Sequence, residues 1–232
     1  MVSSIVKARE LLQNKWGGGW SILSTEEYAR VPFFGNVIKQ SRNVNGKPVE
    51  YYNILRHFGW SVTFGVTEDH NVLTLIQWKP GVNQASWELP PGGIGKIEEN
   101  TSRKTILKKT QEVYLNETGY GNGAWQYLGY VMIETGKYRG ATPDSHGFRA
   151  HMWLARNLKS IKDVSHAPEE MIEVFPVPLQ EFREVLESGL FVEESSVAGA
   201  YKALIKLGLL SWVNHYHLRK DEIFVITSGK EG

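Results

Sequence analysis

The sequence predicts an α/β protein: a mixed sheet sandwiched between helices. Three observations carry that expectation. Runs rich in β-branched and aromatic residues recur along most of the chain. A helical segment interrupts them at residues 101–116, and two more helical segments follow the last strand-like run. Strands and helices interleaved in this order make a layered sandwich rather than a doubly wound fold.

Each element has a local reason. Residues 4–14 place Ile5, Ala8, Leu11 and Leu12 at helical spacing. Gly17, Gly18 and Gly19 then read as a turn, and residues 20–24 as a first strand. Asn45-Gly46 separates extended runs at 36–44 and 47–56, and Asn-Gly supplies the positive φ angles of a type I′ hairpin turn. Residues 60–66 and 72–78 form a second strand pair across Glu68-Asp69-His70-Asn71. The 101–116 helix is capped by Thr101 or Ser102 and ended by Gly119 in a left-handed turn. Strands follow at 125–133, 147–155 and 171–177, then a helix at 179–187 stopped by Gly189. The last helix, 195–207, takes Ser195 or Ser196 as its cap and Val197, Ala200, Tyr201, Leu204 and Leu207 as its apolar face. A short strand is expected at 223–226. The chain divides into an N-terminal helix and hairpin (1–58), a main α/β domain (59–208) and a C-terminal extension (209–232).

Bulk composition excludes several function classes. The 232 residues carry 26 basic and 25 acidic side chains, for a net charge of +1. No global field draws nucleic acid or an anionic membrane. There is no Cys, which removes disulfides, thiolate zinc sites and thiol catalysis. The first residues have dispersed charges and no apolar core, so neither a signal peptide nor a membrane span is expected, and a cytoplasmic location is.

The chemistry-bearing stretch runs from Trp87 to Tyr120. Trp87-Glu88-Leu89-Pro90-Pro91-Gly92-Gly93-Ile94 opens it, and Glu117, Gly119 and Tyr120 close it. This strand, glycine loop and helix resembles the Nudix box. That pattern is a Gly, a gap, a Glu, a second gap, then Arg-Glu-hydrophobic-any-Glu-Glu-any-Gly-hydrophobic. The opening run is similar to the Glu-Leu-Pro-Ala-Gly-Gly run of the ADP-ribose pyrophosphatase branch. Gln77-Trp78-Lys79-Pro80 is similar to that branch's Gln-aromatic-Arg-Pro, and Asn45-Gly46-Lys47 with Val49-Glu50-Tyr51 to its early hairpin. Pro176-Val177-Pro178-Leu179 is similar to its strand-to-helix joint. The resemblance spans about residues 20–208. It implies a Nudix-type α/β/α sandwich, a homodimer, and a nucleoside-diphosphate-linked small molecule as ligand. It also implies magnesium, or manganese, as cofactor.

The middle of the box departs from the pattern. Gly93 and Glu99 fit the first gap, but counting on puts the Arg-Glu-hydrophobic-any-Glu-Glu positions at Leu107, Lys108, Lys109, Thr110, Gln111 and Glu112. Counting back from Glu117 puts the Arg at Glu112, the first Glu at Val113, the hydrophobic at Tyr114 and the middle Glu at Asn116. The two counts differ by five residues, which marks an insertion. We take the C-terminal register, because Gly119 must end the helix and a loop or first turn absorbs extra residues easily. Five residues within the helix would rotate its halves by about 140°.

In that register the resemblance implies metal ligation by Glu117 and the Gly92 carbonyl, with Glu99 or Glu112 assisting. Glu117 also reads as an ordinary helix-end acid, and the box frame favours the ligand. Asp144, in the loop where this branch keeps a catalytic Glu, is the candidate base, with a turn-forming Asp as the alternative. Arg56 and Lys79 are candidates for diphosphate and Trp20 for adenine stacking; each also reads as a surface or packing residue. His146 and His151 read as ordinary surface or sheet residues, and His215 and His217, alternating in an extended tail, are weak evidence for metal. Two functions follow: a diphosphohydrolase with a weakened metal site, or a nucleotide-binding protein that has lost catalysis.

Overall fold

The computed structural model describes residues 21–31, 35–56, 58–79, 83–98, 100–133, 138–139, 148–164, 166 and 172–210. The expected helix at 4–14, the turn at 17–19 and the strand at 223–226 lie outside them.

Two sheets result. The first has strands β1 (Ile22–Val31), β2 (Gly35–Val44), β3 (Lys47–Arg56) and β10 (Tyr138–Arg139) in the order β1-β2-β3-β10. Asn45 and Gly46 both take positive φ (53° and 83°), as the hairpin between β2 and β3 requires. β1 is longer than the sequence predicts, because it pairs along almost the whole of β2.

The second sheet is built on β4 (Trp60–Thr67) and β11 (Phe148–Ser160), which run parallel. β5 (Asn71–Lys79) joins β4 and is flanked by β12 (Ile172–Pro178) and β6 (Gln84–Glu88). β7 (Pro91–Gly93) pairs with β4; β8 (Tyr120–Gly121) and β9 (Ala124–Ile133) pair with β11. All these added pairs are antiparallel, so the sheet is mixed. The glycine run at 92–93, which the sequence suggests as loop, is therefore partly strand.

Helices cover both faces. Along β4, Val62, Phe64 and Val66 point to one side, and along β11 so do Met152 and Leu154. There they pack on α2 (Phe182–Glu187) and α3 (Glu194–Lys206) through Phe182, Val185, Ala200, Ala203 and Leu204. The alternate side chains Trp153, Ala155 and Leu158 meet α1 (Arg103–Thr118) through Ile106 and Tyr114. The period of two along a strand thus divides the core into two layers. The architecture is the α/β/α sandwich that the sequence predicts.

The helical segment expected at 179–187 stands, opening as a 3-10 turn, Leu179–Glu181, that continues into α2. Two local expectations are corrected. The cap of α3 is Glu193, whose carboxylate accepts from the Ser195 and Ser196 amides; Ser196 Oγ is taken by the Leu89 amide at 3.0 Å. Tyr201 is exposed, and Ala203 takes its place in the buried face. Among the described residues no helix is long and apolar enough to cross a membrane.

Candidate functional site

α1 starts and stops for local reasons. Ser102 Oγ accepts from the Thr105 amide, and Gly119 takes φ 76° while its amide donates to Leu115 O. The helix runs without interruption between these caps. Tyr114 is buried, as the C-terminal register expects of its hydrophobic position.

The contact between α1 and β7 defines the centre of the site. Gly92 pairs with Ser61 in the sheet, and a Cβ on Gly92 would come within 2.1 Å of Val113 Cγ1. Only a residue without a side chain admits the helix this closely. Val113 fills the approach with methyl groups, at the position where the pattern places an acid. One turn on, Glu117 shares the Val113 face. Its Oε2 lies 3.8 Å from His166 Nε2, with both side chains largely covered. Asn116 Oδ1 accepts from Lys162 Nζ at 2.9 Å. Glu112 is exposed and pairs with Lys108 at 3.9 Å, away from the Gly92 contact.

The other expected site residues are scattered. Lys79 Nζ is 2.7 Å from Glu88 Oε1, and Glu88 also accepts from Gln77 Nε2. Burial pushes the Glu88 carboxyl above the usual carboxylate range, and the Lys79 charge and hydrogen bond pull it back. Arg56 lays its guanidinium over the Phe148 ring, 5.2 Å from the centroid. Glu98, next to the candidate Glu99, is exposed and pairs with Lys96. Trp20, Glu99, Asp144, His146, His215 and His217 lie outside the described residues.

His166, Lys162 and Glu88 are the neighbours that sequence reasoning missed. The first two follow β11 and reach α1 only because that strand returns across the sheet. No sequence spacing links position 117 to 166. Glu88 was legible as part of the Glu-Leu-Pro run, but its burial was not.

A magnesium site built from several carboxylates does not fit these residues. Magnesium takes hard oxygen ligands in a near-octahedral array. Among the described residues, Glu117 is the one acid on the Gly92 face of α1. Also among the described residues, no group of three or more His, Cys, Asp or Glu side chains is placed to hold a metal ion.

No protein-family model matches the chain, and no curated protein matches it. A crystal structure of an ADP compounds hydrolase is similar, with a TM-score of 0.64 and 17% identity, over 82% of this chain and 97% of that one. At such identity the likeness establishes the fold.

His151 yields a pH prediction. It is buried on β11 beside β9, and its Nδ1 shares a 2.9 Å hydrogen bond with Tyr127 Oη. Burial, helped by the Arg149 charge, lowers its pKa from the ordinary 6.5 to about 4. The unfolded chain therefore binds this proton first. His151 contributes stability that is full above pH ~6.5 and is lost as pH falls towards ~4. Urea melts at pH 7 and pH 4.5 should show the wild type losing about 2 kcal/mol more than His151→Gln between those pH values.

Proposed function

We propose that this chain is a Nudix-fold protein that binds a nucleoside-diphosphate-linked small molecule and hydrolyses it slowly, or not at all, with magnesium. The observation that carries the reading is Val113, seated on Gly92 where the box pattern has an acid. The likeness to an ADP compounds hydrolase supports the ligand class. A magnesium ion, if held here, would neutralise charge on a diphosphate and make a water more acidic. Glu117 is the carboxylate left to hold it, with the Gly92 carbonyl beside the helix. Glu99 and Asp144 remain the candidates for an added ligand and a base.

Arg56 and Lys79 remain the candidates for the ligand's diphosphate; Lys79 also shares its charge with Glu88. Trp20 remains the candidate for stacking on the base. We assign residues 1–58 to dimerisation and ligand contact, 59–208 to the α/β domain and 209–232 to an extension. The protein acts in the cytoplasm.

Loss of one well-placed electrostatic partner costs about 3 kcal/mol of transition-state stabilisation. With Val113 and Asn116 in place of two acids, magnesium- or manganese-dependent turnover of ADP-ribose and related dinucleotides should be weak or undetectable. ADP-ribose should still raise the melting temperature. The comparison is wild type against Glu117→Gln over a panel of nucleoside diphosphate substrates. Robust turnover that Glu117→Gln abolishes would defeat the reading in favour of an efficient enzyme with an unusual metal site.

The first sheet supports a homodimer. Ile22, Leu23, Tyr28, Val49 and Tyr52 are exposed on it, and β1 is an edge strand. Light scattering at micromolar concentration should give twice the chain mass of 26.3 kDa; a monomer mass counts against the dimer.

A further inference from the structure

We propose that Lys109 supplies the positive charge with which this site meets its ligand's diphosphate, so that binding needs no divalent metal. This rests on the nucleoside-diphosphate reading above and deepens it. The anion is held by an ammonium built into the chain rather than by an ion recruited to acids.

Lys109, Val113 and Glu117 are four residues apart and form one stripe along α1. Val113 is the residue seated on Gly92. Lys109 stands one turn before it, about 6 Å along the helix axis. Its Nζ donates to the Lys96 carbonyl at 3.2 Å and lies 3.3 Å from where a Cβ on Gly95 would stand. Gly95 takes φ 69°, which a residue with a side chain rarely adopts. The ammonium is thus held across the loop that follows Gly92 and Gly93.

Its charge is uncommitted. A carbonyl oxygen orients an ammonium but carries no net charge to cancel it, and two of the three N–H donors remain for other acceptors. Among the described residues, the acids of this neighbourhood are turned elsewhere. Glu112 pairs with Lys108, Glu98 with Lys96, and Glu117, two turns on, faces His166. The Lys109 side chain is also partly covered. A lysine already ordered against the protein loses less rotamer freedom when an anion arrives.

The charge pattern of α1 points the same way. Arg103, Lys104, Lys108 and Lys109 fall in its first two turns, and its first turn has no acid. The start of a helix favours acids, so these cations do nothing for the helix itself. Lys109 is the one of them held at the glycine loop, where it favours an anion. On the same stripe Val113 replaces an acid that would recruit magnesium. An ammonium one turn away also repels a divalent ion approaching Gly92. The deficit of acids and the fixed cation therefore describe one arrangement: phosphate oxygens accept from Lys109 directly, in a charge-assisted hydrogen bond.

The test is titration calorimetry of the full chain with ADP-ribose, once with EDTA and once with magnesium chloride, and with inorganic pyrophosphate under EDTA. The variants are Lys109→Gln, Lys109→Arg and Lys104→Gln. Lys104 is exposed, about 140° around α1 from Lys109, and its variant changes the net charge equally. The wild type should bind ADP-ribose as tightly with EDTA as with magnesium. A hydrogen bond to a charged group is lost in Lys109→Gln, which should weaken ADP-ribose and pyrophosphate by roughly tenfold or more. Lys109→Arg should keep most of the affinity, and Lys104→Gln should bind as the wild type does. Circular dichroism checks folding, and if Lys109→Gln is unfolded, Lys109→Met, which keeps the apolar stem, decides. The proposal is overturned if wild-type binding of ADP-ribose requires magnesium, or if folded Lys109→Gln binds as the wild type does. It is equally overturned if Lys104→Gln loses as much, which would mark a diffuse field rather than a site. Binding of ADP-ribose that ignores Lys109 overturns this proposal and leaves the nucleotide reading standing. Binding of pyrophosphate through Lys109 without binding of ADP-ribose does the reverse, and binding of neither overturns both.

Discussion

The close contact between α1 and the edge strand β7 is the constraint on which the site depends. Gly92 offers no side chain, so the helix comes down until Val113 touches the strand backbone. This contact sets the rotation of α1. Tyr114 is then turned into the core against Leu73, Ala155 and Leu158, and Glu117 follows Val113 on the same face. Gly119 stops the helix and offers its carbonyl to the segment after β11. Had the five extra residues lain inside the helix, these partners would fall on different faces.

That geometry redistributes charge. An acid at position 113 would stand against the strand carrying the Gly92 carbonyl; here two methyl groups do, and their contribution is packing. Asn116 serves Lys162, Glu112 serves Lys108 in solvent, and Glu117 faces an imidazole. Lys79 is likewise turned inward to Glu88. Because a buried carboxylate without a partner is strongly unfavourable, that pair binds β5 to β6 and leaves less positive charge for a ligand. The α/β/α sandwich is built while these charges are committed largely to internal partners.

Sequence reading reached what was local. The Asn45-Gly46 turn, the Ser102 and Gly119 caps and the alternating strands each depend on residues a few positions apart, and they stand where expected. The cap of α3 was misplaced because a serine run drew attention from Glu193, whose longer carboxylate spans both serine amides. β7 was read as loop because proline and glycine disfavour strands; it pairs as a short addition beside β4. The Glu117–His166 and Lys162–Asn116 contacts were illegible, since they arise from the return of β11 across the sheet and not from any spacing. The insertion was legible as a miscount between the two ends of the stretch, and the buried Tyr114 accords with the C-terminal register.

The most direct measurement restores the missing acid. In Val113→Glu, the new carboxylate would lie beside Gly92 and one turn from Glu117. If the register and the charge deficit are right, the variant melts below wild type in the absence of metal. Millimolar magnesium then recovers a few degrees, while wild type is unmoved by the same magnesium. A variant indifferent to magnesium, or a wild type that magnesium stabilises just as much, would contradict the account.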